Sequence, residues 1–218
     1  MCIIELHEND CQFGKIMYSS PDDLLRLLSY MYRSDKTFSD SVRKKNTAYD
    51  GPYCGCEPFF FPKEYETDPE MVYEAMMFTI GAFPHSHSDS LAKHRIISFH
   101  ASTGLLPQDL DTLGRQIAQF YANRGHIAAY AVHADTYQTH IHVAVCNVSY
   151  LTGNQLRISY EYNILSAMCN EYEDRLMDDP GFRENRERIL YGEPCYTANV
   201  GLTAREQIRA NGKGQIGQ

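Results

Sequence analysis

The feature that most constrains the fold is a pair of β-forming runs, about Ile127–His133 and His140–Val148, separated by the short polar link Ala134–Thr139. The link is too short for the crossover that parallel strands need, so the runs pair as an antiparallel hairpin. Side chains two apart in a strand share a face. His140 and His142 therefore stand on one side, while Ile141, Val143 and Val145 point to the other, the face that helices would cover. A tight turn through Thr136–Thr139 brings His133 back alongside the pair, with Asp135 two residues beyond it. A single histidine is most often structural. Three imidazoles converging at this spacing instead make His133, His140 and His142 a candidate divalent-metal site with coordination positions left open. By contrast, His85-Ser86-His87 falls in a loop without partners and reads as solvent-exposed.

Elsewhere the pattern is mostly helical. Ser20 can cap a helix, Pro21 suits its first position, and Asp22 and Asp23 favour the positive end of the macrodipole. Leu24, Leu25, Leu27, Leu28 and Met31 then form an apolar stripe at helical spacing. Arg33–Asn46 is polar and basic, and the Gly/Pro/Cys-rich stretch through Pro62 reads as loop. A second helix is expected over about Pro69–Thr79, a loop over Gly81–Ser90 and a strand over Arg95–His100. Leu106-Pro107 opens a long helix that Gly125 stops, and another runs from about Tyr160 to Leu176. Helices mixed with hairpin-connected strands predict an α+β domain, a central antiparallel sheet covered by helices, over residues 1–178. Residues 179–218 read as a polar C-terminal extension with little to bury.

Composition excludes several classes. No apolar run approaches the roughly 20 residues needed to cross a bilayer, and the N-terminus lacks the form of a secretory signal. A cytoplasmic protein without membrane insertion is expected. The seven cysteines are odd in number and scattered, which reads as reduced thiols rather than a disulfide framework. Cys54-Gly55-Cys56 is too tight for a zinc knuckle. The net charge of −8 argues against a protein that coats nucleic acid non-specifically. Yet between Arg26 and Lys45 six basic residues stand against two acidic ones, and Lys36, Arg43, Lys44 and Lys45 form a local patch able to track phosphates. The same residues also suit a solvated charged loop.

His133-x-Asp135, then His140-Ile141-His142-Val143 and Asn147, resembles the third motif of the P-type relaxases of conjugative and mobilizable plasmids, mobilization nucleases of the HUH (histidine–hydrophobic–histidine) endonuclease superfamily. Ile96-Ile97-Ser98-Phe99 resembles the family's second motif, a strand whose serine contacts DNA. Leu27-Leu28-Ser29-Tyr30-Met31, with Lys36-Thr37 after it, resembles the first, which carries the nucleophilic tyrosine. The three motifs occur in the family's order and cover roughly Leu24 to Leu176.

The resemblance implies a DNA relaxase that nicks and rejoins one strand at an origin of transfer. Tyr30 would attack the scissile phosphate and leave a 5′-phosphotyrosyl bond, with Tyr32 and Tyr18 as the other candidates. His133, His140 and His142 would hold a divalent ion, Mn²⁺ or Mg²⁺. Asp135 would either orient an imidazole or take the tyrosine's proton. Ser98 would contact DNA, and Lys36, Arg43, Lys44 and Lys45 would follow its backbone. The implied partners are single-stranded origin DNA, relaxosome accessory proteins and a coupling protein. Three other readings compete: a rolling-circle replication initiator of the same superfamily, a non-catalytic mobilization accessory protein, and a small-molecule phosphoesterase.

Overall fold

The computed structural model of the chain describes residues 2–7, 18–37, 52–85, 90–100, 103–134, 139–183 and 186. Five strands form one fully antiparallel sheet: β1 (Cys2–His7), β2 (Cys54–Glu57), β3 (Ala92–Phe99), β4 (Ala128–His133) and β5 (Thr139–Cys146), in the spatial order β1-β3-β5-β4-β2. The helices are α1 (Pro21–Met31), the single turn α2 (Ser34–Thr37), α3 (Pro69–Ala82), α4 (Pro107–Ala122) and α5 (Glu161–Met177). This is the α+β architecture expected, and the β4–β5 hairpin sits at its centre with His133 opposite His140.

Strand alternation divides the apolar residues into two cores. On one face Ile97, Phe99, Tyr130, Val132, Ile141, Val143 and Val145 pack against Leu110, Leu113, Ile117 and Tyr121 of α4 and Leu165 and Cys169 of α5. The other face carries small side chains, Ala129, Ala131, Ala144, Cys54, Cys56 and Cys146, beneath α1 and α3. Helices thus cover both faces, not just the one opposite the histidines. The short residues let Leu24, Leu28 and Met31 of α1 come close, and all three are fully buried. Burying such a side chain contributes about 1.5–3 kcal/mol, so α1 is held firmly at the end of the sheet where the histidines emerge.

Two sequence expectations need correction. Residues 54–57, read as loop, form edge strand β2 along β4, pairing Cys54 with Ala131 and Cys56 with Ala129. Gly55 is required there: a Cβ would meet Tyr130 Cε1 at 2.9 Å, and one at Gly114 would meet Tyr130 Cδ2 at 2.5 Å. The Tyr130 ring is sandwiched between these two glycines. The helix expected to stop near Thr79 continues through Gly81 to Ala82, because a helix interior tolerates glycine at roughly 1 kcal/mol. The cysteines of 54–56 belong to the apolar core and are free thiols, as expected. Residues beyond 186 lie outside those described.

On the face opposite the histidines, Arg95 of β3 is fully buried and forms a two-pronged pair with Glu161, the first residue of α5, at 3.1 and 2.8 Å. Tyr121 of α4 donates to the same carboxylate at 2.6 Å. One carboxylate at the positive end of α5 therefore ties a strand to two helices. Removing a single partner strands a buried charge. Arg95→Ala is expected to destabilise the fold by about 3–5 kcal/mol, read as a lowered denaturant midpoint. A midpoint within experimental error of the parent's would show that the pair holds nothing.

Candidate active site

The three predicted ligands come together. One ring nitrogen from each of His133, His140 and His142 lies within 4.8 Å of the others. His133 and His142 are buried and His140 is half-buried, at the end of the β4–β5 face where α1 ends. Hydrogen bonds fix which nitrogen each buried ring can offer. His133 Nε2 donates to the Met31 carbonyl at 2.9 Å, which leaves Nδ1 as the lone-pair nitrogen of the neutral ring. His142 Nδ1 bonds His94 Nε2 at 2.8 Å, and His142 Nε2 is buried without a hydrogen-bond partner. A buried imidazole nitrogen in that state is costly unless it meets a ligand. Burial, and then the neighbouring His94, His133, His140 and Lys36, hold the His142 pKa far below its usual value. The ring is therefore a neutral donor at pH 7. Three imidazoles with a nitrogen of each this close together, the two buried rings each already engaged through their other nitrogen, suit a divalent cation.

Sequence reasoning misses His94. It lies on β3 two and four residues before Ile96 and Ser98, on their face, and it stacks on His142 with ring centroids 5.0 Å apart. Its Nδ1 meets Tyr18 Oη at 3.1 Å. With His142 Nε2 as a ligand, the protons order themselves: His142 Nδ1–H donates to His94 Nε2, and His94 Nδ1–H donates to Tyr18. Outer partners of metal-binding histidines typically change affinity 10–100-fold. His94→Ala is therefore expected to weaken Mn²⁺ binding within that range in titration calorimetry, and Tyr18→Phe to do so less. Unchanged affinity in His94→Ala would remove the chain from the site.

The three candidate tyrosines separate clearly. Tyr30 stands on the flank of the α1 stripe, about 60° round the helix from Leu27, and is 40% exposed. Its ring is edge-on to His133 and His142, with centroids at 5.3 and 5.6 Å. Lys36 Nζ lies 5.3 Å from the centre of the same ring. Tyr32 faces the core, donating to the Gly55 carbonyl at 2.7 Å, and burial pushes its pKa well up. Tyr18 is held by His94, and burial, with Asp23 and Tyr30 adding to it, raises its pKa to about 12.

Ser98 pairs with His140 in the β3–β5 register, on the histidine face, and is half-buried. Lys36 sits in α2, whose carbonyl at Lys36 accepts from Ala134 N at 3.2 Å and so fastens this turn to the end of β4. Asp135, Arg43, Lys44 and Lys45 lie outside the described residues. His85 is exposed, as expected, and His87 is likewise outside those residues.

An antiparallel sheet presents three histidines from a central hairpin, placed so that they could hold a metal ion, with an accessible tyrosine on an adjoining helix, the arrangement that the resemblance to HUH endonucleases implies. The family model described as "Relaxase: MobA/VirD2-like, nuclease domain" matches residues 60–176. That span is more than half of the chain, which belongs to this relaxase family of the HUH superfamily. It includes the histidines and Ser98, whereas Tyr30 and Lys36 precede it. Neither the curated proteins nor the solved structures gave a match. Among the described residues no helix is long and apolar enough to cross a membrane.

Proposed function

We propose that the chain cleaves and rejoins one DNA strand at an origin of transfer, with Tyr30 as nucleophile. The observation that carries this reading is the exposed Tyr30 phenol edge-on to two buried histidines of the triad. Tyr30 Oη attacks the scissile phosphorus, the bond from phosphorus to the 3′ oxygen breaks, and the 5′-phosphate passes to the tyrosine. The leaving oxygen takes up a proton to become a 3′-hydroxyl. Energy kept in the phosphotyrosyl ester lets that hydroxyl reverse the step and reseal the strand, which hydrolysis would forbid.

His133 through Nδ1, His142 through Nε2 and His140 would hold a divalent cation, Mn²⁺ or Mg²⁺, which polarises a phosphate oxygen and offsets transition-state charge. The remaining work belongs to the protein. Met31 and His94 fix the ring orientations. Lys36 brings positive charge to the reacting phenol and the incoming phosphate. Ser98, beside His140, contacts the strand. Arg43, Lys44 and Lys45 would extend the cationic track, and Asp135 takes the phenolic proton or holds an imidazole. Accessory proteins and a coupling protein are the proposed partners in the cell, acting in the cytoplasm, with residues 1–178 as the relaxase domain and 179–218 as an extension.

Incubation with labelled single-stranded DNA pools containing candidate origins, with Mn²⁺ or EDTA, tests the proposal on a denaturing gel. A metal-dependent protein–DNA adduct is expected. DNA binding with no adduct across well-sampled origins would favour the accessory-protein reading instead. The rolling-circle reading is less well supported, because the tyrosine facing the triad precedes the histidine pair.

A further inference from the structure

At the opposite end of the β4–β5 hairpin, a cavity of about 840 Å³ is lined by His85, Arg124, His126, Asn154, Gln155 and Arg157 among others. A neighbouring cavity of about 440 Å³ shares Arg124, His126, Gln155 and Arg157, so the two form one groove. No acidic residue lines either cavity, although the chain as a whole carries a net charge of −8.

The two arginines of the groove, Arg124 and Arg157, like Arg26, Arg183 and Arg186 elsewhere, are not matched by a carboxylate among the described residues. Arg33, Arg95, Arg115 and Arg175 each have a carboxylate partner. Arg124 is nevertheless held in place: its guanidinium lies 3.7 Å from the centre of the Phe120 ring, and Nη1 donates to the Phe120 carbonyl at 2.9 Å. His126 is 95% buried, and its Nδ1 donates to the Cys146 carbonyl at 3.0 Å, so its Nε2 is the ring nitrogen left for a ligand. Next to the groove, immediately after its lining residue Ser159, Tyr160 is 80% exposed and held at φ 58°. A bulky side chain in that backbone region is uncommon and strained.

We infer that this groove binds the phosphodiester backbone of a single nucleic-acid strand, with Tyr160 stacking on a base. Guanidiniums without a carboxylate partner supply the phosphate contacts, and an exposed aromatic beside a cationic groove is the usual platform for unpaired bases. His126 precedes His133 by seven residues. At about 3.3 Å per strand residue the groove lies up to about 23 Å from the histidines, a span of several nucleotides. Resting on the proposed DNA-strand reading, the groove would hold the strand some distance from the nick.

The test is fluorescence anisotropy on a labelled mixed-sequence strand of about 30 nucleotides, in EDTA, over a series of salt concentrations. The full chain is compared with the double variant Arg124→Gln/Arg157→Gln and with Tyr160→Ala. All three side chains are exposed, and melting curves confirm folding. Loss of two phosphate contacts should make the slope of log K against log salt shallower by about 1.4. Tyr160→Ala should weaken binding several-fold and leave the slope alone. An unchanged slope in the double variant overturns the groove. If inorganic phosphate, at matched ionic strength, erases the difference between parent and double variant, a free anion replaces the strand as occupant. The metal-dependent adduct is scored separately: its absence beside a changed slope sinks the nuclease reading alone, and its presence beside an unchanged slope sinks the groove alone.

Discussion

Tyr30→Phe is expected to abolish the covalent DNA adduct, by about 10³-fold or more, while DNA binding and metal content stay at parental levels. The substitution removes one oxygen and keeps the ring that lies against His133 and His142. With 40% of the residue exposed, no core contact depends on the hydroxyl. No neighbour is placed to substitute. The Tyr32 hydroxyl is spent on the Gly55 carbonyl in the core, and the Tyr18 hydroxyl is bonded to His94. Quantitative adduct gels with Mn²⁺ measure the effect. Capture retained at more than a few per cent would move the nucleophile elsewhere, Tyr18 being the next candidate by exposure.

The second large effect is expected at the triad. His142→Ala should weaken Mn²⁺ binding by more than about 100-fold, beyond the 10–100-fold typical of outer partners, and adduct formation should fall with it. The reason is that His142 is the best-prepared ligand of the three. His94 fixes its ring, burial and its neighbours keep it neutral, and its Nε2 is buried without a partner. Titration calorimetry gives the affinity, and circular dichroism checks that the fold survives. Stoichiometric binding at parental affinity would place the metal on other ligands. The same variant lets His94 swing free, so its combination with His94→Ala should cost little more than His142→Ala alone, as expected for residues acting as one unit.

The parts of this fold that were legible in the sequence were those with strong periodicity. The β4–β5 hairpin, the α1 stripe and the long helices α4 and α5 each repeat an apolar pattern that a single packing solution satisfies. The metal candidates followed directly, because alternation in β5 and one short link are enough to bring His133, His140 and His142 together. The edge strand β2 is not legible: Cys54-Gly55-Cys56 has the composition of a turn, but it pairs along β4, and its glycine is needed because Tyr130 and Arg115 occupy the space a side chain at 55 would take. His94 was missed for a related reason. The β-forming residues predict a strand from Arg95, but it begins at Ala92, and alternation back from Ser98 then lands on His94. Choosing among Tyr18, Tyr30 and Tyr32 required tertiary contacts. Helix phase alone places Tyr30 beside the core stripe, and only the position of α1 over the end of the sheet turns its ring toward the histidines.

The most direct measurement is mass spectrometry of the purified adduct after nuclease and protease digestion. A nucleotide joined through its 5′-phosphate to Tyr30, formed with Mn²⁺ and absent with EDTA, is the expected result. The same modification on Tyr18 or Tyr32, or one that forms equally well in EDTA, would contradict a metal-assisted attack by Tyr30.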